Sequence, residues 1–177
     1  MAARKIIVNA GTSADGFIAR LDGDIEWLTS RPKPPGFYGM RDFVTSVDAK
    51  ILGRITYEKS LEMGAKFDGK TKTYIFSSKP PANPASGVEF VTEPIPAFAK
   101  RVRAAEGKNI WMMGGGGVIA SFLDAGAIDQ LIVTVTPVLI GEGIPLIAQR
   151  HRHVELKLLS SRQFDDGVVQ NHYEVLS

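Results

Sequence analysis

Three short stretches of the chain have the residues to hold an anion. Gly114-Gly115-Gly116-Gly117, within IWMMGGGGVIASFL, sets four glycines between two apolar runs. Gly53-Arg54-Ile55-Thr56-Tyr57-Glu58 brings a glycine, a guanidinium and a hydroxyl together, and Ser77-Ser78-Lys79 offers two hydroxyls and an ammonium. A glycine inside a regular element costs roughly 0.5–1 kcal/mol relative to alanine, so four in succession need a use. One use is phosphate binding. Bare backbone lets a ligand approach, and the free N–H groups and positive dipole end of a helix start attract its charge. The arginine fork suits phosphate as well. Another use is a tight strand-to-helix turn where two backbones cross. The run is not a Walker loop, since no Gly-Lys-Ser/Thr follows, nor a Rossmann fingerprint, since it comes late in the chain after several elements.

The elements that must position these stretches follow from periodicity and breakers. Strands are expected at Lys5–Ala10, Ala49–Leu52, Thr73–Phe76, Val88–Val91, Asn109–Met113 and Gln130–Val135. The last is so apolar that it reads as a central strand buried on both faces. Helices are expected at Arg41–Ser46, Thr56–Met63, Pro96–Glu106 and Val118–Asp124, the last two closed by Gly107 and Gly126. Val154–Arg162 and Val168–Leu176 flank Asp165-Asp166-Gly167 as a hairpin. Each anion-friendly stretch therefore follows a strand, where ligands of open α/β sheets collect. The pattern predicts one domain over residues 1–177: an α/β, mostly parallel central sheet with an antiparallel C-terminal hairpin.

The 177 residues, 44% apolar and 23% charged, suit a soluble globular chain. No apolar run reaches the roughly 18 residues of a membrane span, and the start MAARKIIVNAG predicts no signal peptide. The absence of cysteine removes disulfides, thiolate nucleophiles and zinc–thiolate sites, and a cytoplasmic protein is expected. Lys and Arg number 21 against 19 Asp and Glu, scattered rather than striped, which argues against nucleic acid. His151 and His153 share a strand face but have no third ligand nearby, so no metal is expected.

In their order and spacing, these residues resemble the dihydrofolate reductase-like superfamily. The similarity is greatest to the reductase domains of riboflavin-biosynthesis deaminase–reductases and their stand-alone relatives. Ser13 to Ala19 (SADGFIA), Gly53 to Glu58, Tyr74 to Ser78, Met113 to Gly117 and Thr136 to Gly143 (TPVLIGEG) carry the resemblance over nearly the whole chain. It implies the three-layer dihydrofolate reductase-like fold and an NADPH-dependent reductase. Gly53, Arg54 and Thr56 would bind the adenosine-side phosphates, with Arg54 facing the 2′-phosphate. Ser77 and Ser78 would join the adenosine pocket, and Gly114, Gly115, Gly116, Gly117 and Val118 would hold the pyrophosphate. Ala10, Ile18 and Ala19 would border the nicotinamide.

The resemblance also places Thr134 as a substrate-side hydroxyl and puts Asp15 in a flap over the nicotinamide. Glu142, between two glycines, becomes a candidate for substrate binding or proton delivery. Asp15 also reads as a plain Asp-Gly turn residue, Thr134 as a β-former and Glu142 as a solvated loop acid. Trp27 and the Thr29–Met40 loop, with basic Arg31, Lys33 and Arg41, would form a substrate rim fitted to phosphate. Dihydrofolate reductases carry a pterin-binding carboxylate on the helix before the Gly-Arg loop. If Phe43 takes the usual aromatic position, that carboxylate falls at Gly39, and Asp42 is off by about a helical turn. The expected substrate is therefore a small heterocyclic or ribosyl-phosphate compound, with 5-amino-6-(5-phosphoribosylamino)uracil leading. A folate reductase and a non-catalytic nucleotide-binding module are the alternatives. The resemblance further implies a homodimer.

Overall fold

A computed structural model describes residues 3–32, 34–67, 69–80 and 84–176. In chain order the elements are β1 (Ile6–Ser13), β2 (Phe17–Ala19), α1 (Glu26–Thr29), α2 (Met40–Thr45), β3 (Val47–Gly53), α3 (Arg54–Glu62), β4 (Lys72–Phe76) and β5 (Val88–Val91). They continue with α4 (Ile95–Ala104), β6 (Asn109–Gly114), α5 (Gly116–Asp124), β7 (Gln130–Thr136), β8 (Ile144–Pro145), β9 (Leu156–Gln163) and β10 (Val169–Val175).

Eight strands form one sheet in the order β5-β4-β3-β6-β1-β7-β10-β9, and β2 pairs with β8 in a separate ribbon. The pairs from β5 through β7 are parallel, while β10 runs antiparallel to both β7 and β9. Alternation along each strand sends side chains to two helical layers. On one face Ile6, Val8, Ile51, Ile110 and Met112 pack with Phe98 of α4 and with Ile119 and Phe122 of α5. On the other, Ile7 and Trp111 meet Phe43 of α2, and Leu52, Ile75 and Val88 meet Tyr57 of α3. The helix starting at Ile95 takes Pro94 as its N-cap and carries Arg101 and Arg103 in its last turn, the favourable end for cations.

The structure corrects the sequence reading in two places. The periodicity assigns no element at β2, α1 or β8, which have two to four residues and are held by tertiary bonds beside them such as Leu146 N–H to Gly16 O at 3.1 Å. Such pieces are too short to show a period. The strand expected to be buried on both faces, β7, buries Leu131, Thr134 and Thr136 but leaves Ile132, Val133 and Val135 half-buried. It lies toward the sheet's end, beside a hairpin whose outer strand β9 is exposed at every residue. Among the described residues no helix is long and apolar enough to cross a membrane.

Candidate functional site

The four glycines divide into two kinds. Gly114 and Gly115 have φ of 126° and 27°, which side-chain-bearing residues rarely adopt, and a Cβ on Gly116 would lie 2.5 Å from the Pro145 carbonyl oxygen. The turn alone explains these three. Gly117 has neither constraint: a Cβ there would meet nothing within 4 Å. It is exposed in the first turn of α5, where N–H groups lack intrahelical partners. The fold does not demand a glycine at this position, and an anion lying against the backbone would.

The three anion-friendly stretches meet at one edge of the sheet. The Gly115 N–H donates to Thr56 Oγ1 at 3.0 Å, and a Cβ on Gly53 would touch Val118 at 3.7 Å. The starts of α3 and α5 thus abut where β3 and β6 end. Thr56 was expected to offer its hydroxyl to phosphate, and it here splices the two turns. Beside them, a cavity of about 560 Å³ is lined by Ser77 and Ser78 after β4, by Thr92 and Glu93 after β5, and by Gly117, Val118 and Ser121 of α5. Ser77 Oγ accepts the Lys79 N–H at 3.1 Å, and Glu93 accepts from Arg101 Nε at 2.9 Å. Arg54 is not part of this lining. Its Nη1 donates to both carboxylate oxygens of Glu58 at 2.8 and 2.9 Å. A cation in the first turn of a helix faces the positive dipole end, and Glu58 one turn on offsets that.

The β1–β2 turn folds onto the segment after β7. Ala14 N–H reaches Val138 O at 2.8 Å, and β2 pairs with β8. Asp15 caps the contact, accepting the Gly141 N–H at 2.8 Å and the Ile140 N–H at 3.2 Å. A hydrogen bond with the Ser13 side chain, reinforced by those backbone donors, holds its carboxyl below the usual range against the opposing effect of desolvation. Asp15 is therefore ionised at neutral pH and serves as a clasp. The joined segments continue to the glycines, since Ala148 N–H donates to Gly116 O at 3.0 Å. Ala10 and Ile18 pack at the edge of the main core, Ala19 is buried, and Glu142 is exposed at the loop tip.

Across the sheet, on the face bearing α2, the Thr29–Met40 loop is tied down. Gly36, Phe37, Tyr38 and Gly39 have φ of 76°, 49°, 53° and 79°, a single left-handed turn. The buried Tyr38 donates its hydroxyl to Asp166 at the β9–β10 tip, and its ring meets Phe164 edge-on at 4.9 Å between centroids. Burial, together with the bond to Asp166, raises the Tyr38 hydroxyl above its ordinary value. Arg31 donates to the Asp166 main-chain oxygen at 3.0 Å and lies 3.8 Å from its carboxylate, so it faces the hairpin instead of an open rim. Gln170 Nε2 donates both to Tyr38 O and to Thr134 Oγ1, each at 2.8 Å. Leu28, next to Trp27 on α1, packs where a Cβ on Gly11 would be, at 3.3 Å. The Trp27 indole Nε1 is buried and has no hydrogen-bond partner among the described residues. Arg41 and Asp42 are exposed, and Lys33 lies outside the described residues.

Tyr38, Asp166 and Gln170 were missed at the sequence level. Asp166 reads as a turn residue and Gln170 as one polar position in a strand, and neither carries a local signal of its distant partner. Among the described residues no three His, Cys, Asp or Glu side chains cluster as metal ligands. His153 is exposed, 3.6 Å from Glu155.

A family model for the RibD C-terminal domain matches residues 4–170. YwjB of Bacillus subtilis (strain 168), an uncharacterized protein, is 38% identical over 171 residues, covering 96% of this chain and 97% of its own. A riboflavin-biosynthesis candidate from Shewanella sp. PV-4 superposes with a TM-score of 0.83 at 26% identity, covering 98% of this chain and 99% of its own. Dihydrofolate reductase from Enterococcus faecalis, solved with NADP(H), superposes with a TM-score of 0.68 at 18% identity, covering 98% and 97%. At that identity the shared property is the fold, and the fold is dihydrofolate reductase-like, as the motifs implied.

Proposed function

The chain belongs to the RibD C-terminal domain family, and on that premise we propose that it is an NADPH-dependent reductase of a small heterocyclic or ribosyl-phosphate substrate, a single unit over residues 1–177. The leading substrate is 5-amino-6-(5-phosphoribosylamino)uracil. One observation carries the reading: Gly117 stays bare where the fold has room for a side chain, at an open helix start beside a cavity of about 560 Å³. Such a cradle fits a dinucleotide's phosphates.

When bound, the reduced nicotinamide supplies a hydride, and the protein's part is alignment and exclusion of water. Gly116 and Gly117 hold the pyrophosphate through backbone N–H groups, Ser77 and Ser78 take the adenosine side, and Ala10, Ile18 and Ala19 flank the ring. Asp15, kept ionised, secures the flap instead of donating a proton. Thr134 accepts from Gln170, so its own hydrogen is left to donate to an acceptor atom of the substrate. Trp27 offers its unpartnered indole N–H from the same side. Glu142 and Arg41, both exposed, are the charged groups that a closing loop brings to a substrate. No acid stands at Gly39, so a pterin's amino group has no carboxylate there.

Gly117→Ala tests the proposal. Alanine in a helical turn with open space raises stability by about 0.5–1 kcal/mol, while its methyl stands between the phosphates and the N–H groups. Thermal melting should hold or rise while NADPH affinity, followed by fluorescence, falls about tenfold, the value of one charge-assisted hydrogen bond. Unchanged affinity in a folded variant removes the reading. Brisk dihydrofolate turnover would shift it to a folate reductase, and NADPH binding without turnover of pterins, pyrimidines or quinones to a non-catalytic module.

We also propose a homodimer through the C-terminal hairpin, supported by edge-strand Leu156, Leu158 and Leu159, which are 43%, 53% and 43% exposed. Light scattering of Leu158→Glu against the parent chain checks it.

A further inference from the structure

Among the described residues, the cavity beside Gly117 has no cation in its lining. The charged residue in that described lining is Glu93, which Arg101 holds, and α5 presents Gly117, Val118 and Ser121 to it. A cation stands behind this wall, in contact with Ser121, on a segment that sequence motifs do not mark. After β8 the chain runs along α5, and Arg150 Nη2 comes to Ser121 Oγ at 3.3 Å. Ser121 in turn donates to Gly117 O at 3.0 Å, which sets the guanidinium one helical turn from the bare glycine.

The charges around Arg150 are unbalanced. Its Nη1 donates to Asp124 Oδ2 at 2.7 Å, and Arg152 Nε donates to Asp124 Oδ1 at 2.9 Å. Two guanidinium groups share one carboxylate, leaving one positive charge in excess on the shoulder of α5. Arg152 Nη2 is buried and has no hydrogen-bond partner among the described residues. Arg152 is the better enclosed of the two, its side chain 17% exposed against 46% for Arg150. If Arg150 turned toward an anion in the cavity, Asp124 would keep Arg152 as its partner. No carboxylate would be stranded, so the movement is inexpensive. Neither arginine is itself in the lining, but Arg150 touches the lining residue Ser121, whereas Arg54 Nη1 is engaged by both oxygens of Glu58.

Resting on the dinucleotide reading above, we propose that Arg150 is a cofactor-binding residue, the cation that meets the ribose 2′-phosphate of NADPH on the α5 side of the cavity. It is the specificity-determining residue between NADPH and NADH.

Fluorescence titration of the whole chain with NADPH and with NADH decides it, using Arg150→Gln, Arg150→Lys and Arg54→Gln, each checked by thermal melting. Arg150→Gln is expected to weaken NADPH about tenfold, the loss of a charge-assisted contact to phosphate, while NADH changes little. Arg150→Lys should recover part of the NADPH affinity, and the salt dependence of NADPH binding should be shallower in Arg150→Gln than in the parent. Arg54→Gln should leave the ratio of NADPH to NADH affinity as in the parent. An Arg150→Gln variant that loses both equally, or neither, overturns the assignment while leaving the dinucleotide site standing. A parent chain that binds neither NADPH nor NADH overturns the site itself.

Discussion

The two sides of the candidate site are built by opposite means. At the edge where β3, β4 and β6 end, recognition comes from backbone: helix starts, bare glycines and one threonine joining two turns. On the Thr29–Met40 loop, side chains hold the backbone where it would not stay unaided. Phe37 and Tyr38 each sit in a left-handed conformation that costs roughly 1–2 kcal/mol for a residue with a Cβ. Asp166 and Gln170 offset that cost from the far end of the chain. The first region is a fixed receptacle. The second stores strain, which the substrate-side cover proposed above would release on closing.

The largest test of this contrast is Gly116→Ala. Its methyl would press on the Pro145 carbonyl at 2.5 Å, and backbone on both sides gives it nowhere to go, so a loss of about 1–3 kcal/mol is expected by calorimetry. A variant that melts like the parent would show that the cradle yields and that the two regions are not different in kind. Next comes Gln170→Leu, which strips hydrogen bonds from Tyr38 O and Thr134 Oγ1. About 1 kcal/mol of stability should go, the substrate KM should rise, and the NADPH dissociation constant should hold. A matching loss of NADPH affinity would mean that the regions are coupled.

The smallest effect at neutral pH is expected from Asp166→Asn. The Tyr38 hydroxyl first, then the Val168 N–H and Arg31, hold the Asp166 carboxyl below the ordinary carboxylate value. The clasp is therefore fully present above that ordinary value, near pH 4, and is lost as pH falls through the lowered one. Asparagine cannot titrate, so urea midpoints of Asp166→Asn and the parent should converge on acidification. A constant gap across that range would detach the clasp from the charge of Asp166.

The same division decides what could be read from the chain. The glycine turns were legible because their cause is local: a strand end, a residue without bulk and a helix start lie within a dozen positions. The purpose of Thr56 was less so, since its hydroxyl serves Gly115, 59 positions on. The anchoring of the loop was not legible, because Tyr38 finds Asp166 and Gln170 across 128 and 132 positions. Arg31 invited a phosphate-facing reading by its charge alone, and only the folded hairpin shows the oxygen that takes it. Elements as short as β2 and β8 exist because they pair with each other, and neither segment announces the other.

The span from Thr136 to Ala148 works as a measured spacer. It is gripped by Asp15 at Ile140 and Gly141, locked to β2 through Ile144, and pressed against Gly116 at Pro145 and Ala148. One residue more or less would pull some of these fixings out of step with the others. Anyone retargeting this scaffold by loop exchange would leave that span at its native length and graft between positions 29 and 40 instead.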